Sequence, residues 1–417
     1  MFKKIRNKAV AALSWVQKTT KTDVFYLAKG GLWLTTGDII ISALSFILAI
    51  FYANFVSKEI YGTYRYILSA TGMLAVFSLG GMGTAITRAV AQDYEGSLMP
   101  AVKKSIQWGT VSGILSVILA TYYFFQNNNT LGFAFLIIAG FLPVKDSLGL
   151  YHSWLAGKKF FNLSSLFSVG SQLVAVLCLF VAAYFGRSVY LLILAYFAPK
   201  VIMHLIFLIR TKRLISTNAK QDPDLISYGM HLSFMGILSE FAGQLDKILV
   251  WSSLGAIPLA LYSFASAPIV QMRNLINVIF PLSFPKLARR TPAELQASLP
   301  FKLGIMFVII LVAVLAYIVS AKFLFGIFFS KYMDAVLLSQ VFAVSLLFLP
   351  RGILTDAINI HAPKKILYFM SISASILRII LLLFLVKYFG IMGAILAYIG
   401  LEIYLSIISA YLFFKKM

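Results

Sequence analysis

Ten ionisable side chains lie within stretches of the chain that are otherwise long and apolar. Five are basic and five are acidic: Asp38, Lys200, Glu240, Asp246, Lys247, Arg273, Arg351, Asp356, Arg378 and Glu402. A charge in hydrocarbon costs at least about 2.5–3.5 kcal/mol, so such residues face a polar cavity or a partner. Most of them share a helical face with Ser, Thr, Gln or Asn. These polar stripes indicate a wet passage, although buried ion pairs that only fix helix register remain an alternative for any single residue.

Three arginines are the best candidates for binding an anion. The planar guanidinium group binds phosphate oxygens in pairs, which a lysine cannot do. Arg273, Arg351 and Arg378 each fall well inside a predicted helix. Pro350 and Gly352 flank the second of them and predict a local break in that helix, a common way to expose backbone groups to a substrate.

The other charged residues fall into two groups. Lys200 and Arg88 complete the predicted substrate-binding set, although Arg88 could be an ordinary anchor at the membrane surface. Glu402 is the first candidate for coupling transport to H⁺ or Na⁺ and Asp38 the second, followed by Glu240, Asp246, Lys247 and Asp356 as coupling or gating residues. We expect no other cofactor and no metal, since the sequence has no Walker A motif and its His residues lack metal-ligand spacing.

The elements that carry these residues are predicted to be membrane-spanning helices. The chain is 60% hydrophobic and 12% charged, whereas a soluble domain is about 45–50% apolar and about 25% charged. A span needs about 20 mostly apolar residues. The sequence therefore predicts an all-α integral membrane protein of about 12 spans, near 32–54, 64–86, 106–125, 131–150, 164–185, 189–209, 229–251, 258–282, 303–325, 335–359, 366–387 and 390–414.

The distribution of Lys and Arg predicts the orientation. With the N-terminus inside, 25 of the 36 lie on the inner side and six on the outer side. This bias places both termini in the cytoplasm. It also accounts for most of the net charge of +22, so we do not expect a nucleic-acid partner. Residues 1–30 predict a basic amphipathic helix on the membrane surface, with a disordered basic tail as the alternative.

The two halves of the sequence resemble each other. FLP, a Lys pair, YFG and LAY recur in the same order, at offsets of 207, 206, 204 and 202 residues. The sequence thus predicts two parallel six-helix lobes, 31–210 and 227–417, joined by a cytoplasmic linker, 211–226. Transporters built from such repeats place the substrate between the halves. At the offset of 202 residues, Lys200 is equivalent to Glu402 and Tyr196 to Tyr398, so we expect both charges to point away from lipid.

Three segments carry a resemblance to a known family. They are QLDKILVWSSLGAIPLALYSFASAPIVQMRNLINVIFPLSFPKLAR, YFGIMGAILAY and YANFVSKEIYGTYRYILSATGMLAVFSLGGMGTAITRAVAQ. In helix content and turn positions they are similar to bacterial polysaccharide transporters, the O-antigen flippase family of the MOP (MATE-like) superfamily. The resemblance covers essentially the whole chain. Lipid II flippases of this superfamily match less well, since they usually have more spans and carry Arg where this chain has Ala267.

The resemblance implies a transporter and not an enzyme. Its expected cargo is an undecaprenyl-diphosphate-linked oligosaccharide, such as an O-antigen, capsule or teichoic-type unit. It would cross the bacterial or archaeal cytoplasmic membrane from the inner to the outer leaflet by alternating access. Membrane lipids, a glycan polymerase and glycosyltransferases are the expected partners. A MATE-like drug antiporter is the main alternative, and a glycan polymerase or transferase is disfavoured because no outer loop is long.

Overall fold

The protein is described by a computed structural model over residues 24–186, 188–214, 219–277, 287 and 290–416, with side chains from residue 33 onward. All regular structure in these ranges is helical. Most of the predicted segment 1–30 and part of the predicted linker 211–226 lie outside the described residues. The helices are α1 (Val24–Phe55), α2 (Lys58–Leu74), α3 (Met82–Ala91), α4 (Leu98–Phe125), α5 (Asn129–Leu148), α6 (Tyr151–Gly157), α7 (Phe161–Val181), α8 (Val189–Leu214), α9 (Leu225–Leu254), α10 (Ala256–Asn277), α11 (Pro292–Phe328), α12 (Val336–Ala343), α13 (Arg351–His361) and α14 (Lys364–Lys416).

Eight helical segments in the described part of the chain are long and apolar enough to cross a membrane, and nine if the bent pair α2–α3 forms one span. The chain is therefore a multi-pass membrane protein, as predicted. The count of about 12 spans and the position of the termini stay predictions. Helices α9 and α10 carry four of the ten charged residues, Glu240, Asp246, Lys247 and Arg273. Helix α14 is 53 residues long.

Two breaks in the helices fall at glycine-rich positions. Helices α2 and α3 meet at 49° around Leu79, Gly80 and Gly81. Helix α14 bends at Gly390, whose φ of 56° lies in the left-handed region that favours glycine. This glycine ends the second YFG motif. The first YFG motif closes a π-helical turn, Ala182–Gly186, after α7, so both copies of the motif interrupt a helix.

The hydrophobic core is shared at one end of the molecule and divided at the other. One cluster contains residues from both halves of the chain, such as Tyr61, Phe135, Phe264 and Tyr332. Two further clusters are separate: one around Trp154 and Phe207, packed with the start of α9, and one built only from residues 287–413. We call the end with the shared cluster the closed end and the end with the two separate clusters the open end. The halves, residues 24–214 and 219–416, thus share one core at the closed end. At the open end each half has its own cluster, and the start of α9 packs against the cluster of the N-terminal half.

The closed end is held by ion pairs and aromatic rings that join the two halves. Lys58 lies 3.5 Å from the carboxylate of Asp334, and Lys331 donates to the backbone oxygen of Asn54. Tyr66 stacks on Trp251 with ring centroids 3.9 Å apart. Gly62 of α2 faces the backbone of Ala256 so closely that an added Cβ would overlap its carbonyl oxygen.

The contact of Gly62 predicts a stability difference between two glycines. We expect Gly62→Ala to lower the thermal unfolding midpoint of the purified protein, since overpacking costs about 1–3 kcal/mol. Gly304→Ala, in α11, is the matched control because no atom lies within 4 Å of the place that the Cβ of its alanine would occupy. Equal midpoints for the two variants would contradict the close packing of α2 on α10.

Candidate functional site

A cavity of about 340 Å³ lies in the C-terminal half between α9, α13 and α14. We call it the C-half cavity. The charged groups of its lining are the guanidinium groups of Arg351 and Arg378, and among the described residues no carboxylate belongs to that lining. Hydroxyl and amide side chains complete the polar wall: Ser239, Thr355, Asn359, Ser371 and Ser375. Two guanidinium groups beside side chains that can also donate suit a ligand that carries several anionic oxygens.

The local sequence places Arg351 at an interruption of the helix. A 3₁₀ turn, Val344–Phe348, comes before it, and Arg351 is the first residue of α13. Pro350 directly precedes this helix with a φ of −55°. Proline has no N–H to leave unsatisfied there, so it suits a helix start. The predicted break at Pro350 is present, and it positions Arg351 beside the cavity.

Glu402 of α14 binds two arginines from two other helices. Its Oε1 accepts a hydrogen bond from Arg273 of α10 at 3.0 Å, and its Oε2 accepts from Arg351 of α13 at 2.8 Å. The side chain of Glu402 is only 5% exposed. Charge-assisted hydrogen bonds of this kind are short and strong. The carboxylate therefore fixes both guanidinium groups and ties α10, α13 and α14 together.

Asp246 of α9 organises a second set of charges. It accepts a hydrogen bond from Tyr262 at 2.7 Å, and Lys247 and Arg378 both lie 3.8 Å from its other oxygen. Arg378 also donates to the backbone oxygen of Gly243 at 3.1 Å. Asp246 is buried, so the surrounding cations compensate a charge that would otherwise be costly.

The N-terminal half contains a larger cavity of about 600 Å³, which we call the N-half cavity. Lys145 and Asp146 of α5 contribute an ion pair of 3.0 Å to its wall. Lys200 of α8 lies 4.0 Å from the ring centroid of Tyr196, a cation–π contact. The wall also carries His152, Ser153, Ser168, Ser171, Gln172 and His204.

A third cavity of about 240 Å³ lies between the other two. It shares Ser78, Gly80 and Asp146 with the N-half cavity. Its opposite wall is α9, where Glu240 follows Ser239 of the C-half cavity. We call it the connecting cavity. The N-half and connecting cavities are thus adjoining spaces, and α9 lies between them and the C-half cavity.

The structure separates the residues predicted to bind substrate. Arg351 and Arg378 line the C-half cavity, whereas Arg273 lies behind it, on Glu402 and 5.2 Å from the ring centroid of Tyr398. Lys200 lines the N-half cavity. Arg88 is exposed and lies over the ring of Tyr228 at 4.5 Å.

The predicted coupling and gating residues are also in different surroundings. Glu402 and the neighbouring pair Asp246 and Lys247 belong to the ion-paired sets described above. Glu240 is exposed to the connecting cavity. Asp38 is exposed on α1 and Asp356 is half-buried on α13; within the described ranges neither makes an ion pair or a side-chain hydrogen bond.

Sequence reasoning missed part of the N-half cavity. The predicted spans put Lys145 and Asp146 at the inner boundary of the fourth span, yet these residues line a cavity inside the bundle. Arg65 is one of the six basic residues that the sequence analysis places on the outer side, and in the structure it is half-buried in α2. At the FLP offset of 207 residues, position 145 corresponds to position 352, next to Arg351. The repeat was therefore the signal that could have marked the segment around Lys145 as part of a cavity wall. Within the described residues, no group of three or more His, Cys, Asp or Glu side chains is placed to hold a metal ion.

Solved structures with this fold are transporters. The chain is similar to an outward-facing multidrug resistance MATE family transporter of the MOP superfamily, with 13% identity, TM-score 0.65, and 93% of this chain and 95% of that chain covered. It is also similar to a MOP superfamily transporter from Pyrococcus furiosus, whose structure is described by the reverse polarity of its binding pocket. The identity is 14%, the TM-score is 0.63, and 93% of this chain and 95% of that chain are covered. The lipid II flippase MurJ in an inward closed conformation is similar with 14% identity and a TM-score of 0.63, and 93% of this chain and 88% of that chain are covered.

The family follows from the sequence itself. None of the curated protein sequences compared matches the chain. The sequence profile of the family described as "Polysaccharide biosynthesis protein" matches residues 27–291, which is more than half of the 417 residues. The chain therefore belongs to the polysaccharide biosynthesis protein family, as the resemblance of its helices and turns implied, and it has the fold of MOP superfamily transporters.

Proposed function

We propose that this transporter is a flippase for an undecaprenyl-diphosphate-linked oligosaccharide. It would move this cargo from the inner to the outer leaflet of the bacterial or archaeal cytoplasmic membrane. The observation that carries the proposal is the C-half cavity, where Arg351 and Arg378 face a space whose lining has no carboxylate. A diphosphate presents only acceptor oxygens, and guanidinium groups bind such oxygens in pairs. Arg273 supports the site from behind through Glu402.

The proposed topology has about 12 spans with both termini in the cytoplasm. Helices α9 and α10 would cross despite their charges, because those charges have partners inside the bundle. Helix α14 would cross twice, since 53 residues extend about 80 Å at 1.5 Å per residue. The open end carries Arg88 and Lys158, so the positive-inside rule supports its facing the cytoplasm. Alternating access would then require the closed end to open outward, with Arg88 meeting the headgroup at the entrance.

A MATE-like, ion-coupled antiporter of small molecules is the second candidate. The structural similarity to MATE transporters favours it, as do the exposed carboxylates of Asp38 and Glu240. A cationic drug would need a cavity dominated by acidic groups, which the C-half cavity is not. Efflux of a cationic dye from cells that express the protein would support this candidate over the flippase.

Deletion of the gene tests the flippase directly. We expect undecaprenyl-linked oligosaccharide to accumulate on the cytoplasmic side, because the lipid carrier cannot move its charged headgroup through hydrocarbon unaided. The measurement is the accessibility of the lipid-linked glycan to a membrane-impermeant label on each side. The same amount at the outer leaflet in a deletion strain without a redundant flippase would contradict the proposal.

The arginines of the C-half cavity should differ from lysines in a measurable way. We expect Arg351→Ala and Arg378→Ala to lower export about tenfold or more, a loss typical of charge-assisted contacts. The Lys variants should retain part of the activity, since they keep the charge and lose the bidentate geometry. Arg213→Ala, at an exposed position near the end of α8, is the control. Normal export by the double Ala variant would refute a role in binding.

Glu402→Gln separates a structural role of this carboxylate from a coupling role. Breaking a buried pair costs about 3–5 kcal/mol, so we expect a lower thermal midpoint than for Glu240→Gln, whose side chain is exposed. If Glu402 also couples transport to H⁺ or Na⁺, the variant will lose the ion dependence of transport measured in proteoliposomes. Asp38→Asn is the corresponding test of the second coupling candidate. An unchanged midpoint for Glu402→Gln would contradict the observed pairing with Arg273 and Arg351.

A further inference from the structure

We propose that the N-half cavity binds the glycan of the substrate while the C-half cavity binds its diphosphate. This inference rests on the proposed function and assigns the two chemical parts of the cargo to different halves of the protein. It follows from three properties of the cavities: the charged groups of their walls, the positions of their carboxylates, and their proximity on either side of α9.

The two walls differ in their charged groups. Both contain hydroxyl and amide side chains, which donate and accept. The charged groups of the C-half lining, Arg351 and Arg378, are donors only, whereas the N-half lining has the donor Lys200 and the acceptor Asp146. A diphosphate needs donors alone, but each sugar hydroxyl both donates and accepts. The N-half wall therefore matches a polyhydroxylated ligand and the C-half wall matches a phosphate.

The carboxylates lie where a phosphate would be repelled. Asp146 belongs to both the N-half and the connecting cavities, and Glu240 faces the connecting cavity. Like charges repel strongly in surroundings of low dielectric. Cations of both cavities already have partners, since Lys145 pairs with Asp146 at 3.0 Å and Arg351 pairs with Glu402 at 2.8 Å. The difference is the position of the carboxylate, which belongs to the lining in the N-half cavity and lies behind the lining in the C-half cavity. A free anion therefore meets a carboxylate in the N-half cavity, where sugar hydroxyls can instead donate to it.

The cavities lie close enough for the two parts of one molecule to occupy them. The connecting cavity shares Ser78, Gly80 and Asp146 with the N-half cavity, and α9 lies between it and the C-half cavity, with Glu240 on one face and Ser239 on another. The N-half cavity has the largest volume of the three, about 600 Å³. A ligand with a compact anionic group and a larger polar extension would place the anionic group on one side of α9 and the extension on the other, in the N-terminal half.

Binding of two probes by the purified full-length protein tests this assignment. The first probe is undecaprenyl diphosphate, which has no glycan. The second is the undecaprenyl-diphosphate-linked oligosaccharide extracted from cells of the source organism that lack this transporter. We expect Asp146→Asn and Lys200→Gln each to weaken binding of the second probe about tenfold, the loss typical of a hydrogen bond to a charged group. Their binding of the first probe should be unchanged, which also shows that the variants are folded.

The C-half variants and a matched lysine complete the design. Arg351→Ala and Arg378→Ala should weaken binding of both probes, and Lys322→Gln, at an exposed position of α11 outside the three cavities, should affect neither. If Asp146→Asn and Lys200→Gln weaken binding of both probes equally, or of neither, the division of the cargo between the two cavities is wrong. The flippase would still be supported if the Arg variants weaken binding of both probes. If wild-type protein binds neither probe, or the Arg variants bind both normally, the proposed function itself fails and the inference with it.

Discussion

A charged side chain inside a bilayer must find water or a partner, and this requirement governs how the C-terminal half is built. A single unpaired charge there costs at least about 2.5–3.5 kcal/mol. Glu402 meets the requirement for Arg273 and Arg351 at once, with one guanidinium group on each carboxylate oxygen. Because the three residues come from α10, α13 and α14, the pairing also sets how these helices approach one another. The hydroxyl-lined cavity beside Arg351 depends on that approach.

The two halves meet the same requirement by different chemistry. The predicted repeat makes Lys200 equivalent to Glu402 and Tyr196 to Tyr398. In the C-terminal half a cation from α10 lies over the tyrosine, and the carboxylate binds it. In the N-terminal half the lysine itself lies over the tyrosine, and Asp146 of α5, in the same cavity wall, pairs with Lys145. The cavity of one half is thus lined by arginines and the cavity of the other by charges of both signs.

The sequence predicted those features that depend on local pattern. Apolar runs indicated the membrane helices, the predicted span limits at 185 and 387 lie close to the interruptions at Gly186 and Gly390, and Pro350 indicated the break before α13. It could not predict that Arg273 and Glu402, 129 residues apart, share a hydrogen bond. Nor did it separate Arg273 from the cavity that Arg351 lines, because periodicity gives the face of a helix but not the neighbour of that face.

The buried charged pairs lie within each half, and an exposed ion pair lies between the halves, a distribution that suits a rigid-body motion of one half against the other. The charged pairs around Glu402 and Asp246 lie entirely within the C-terminal half, and Lys145 pairs with Asp146 within the N-terminal half. Lys58 and Asp334, an ion pair between the halves in the described part of the chain, have a carboxylate that is 75% exposed, and exposed pairs contribute about 0–1 kcal/mol. Separating the halves at the closed end therefore breaks the apolar and aromatic packing of the shared core and leaves these buried charged pairs within each half. The cavities and their charges can remain intact within each half during that movement, so a cargo bound to both would be held while the accessible side changes.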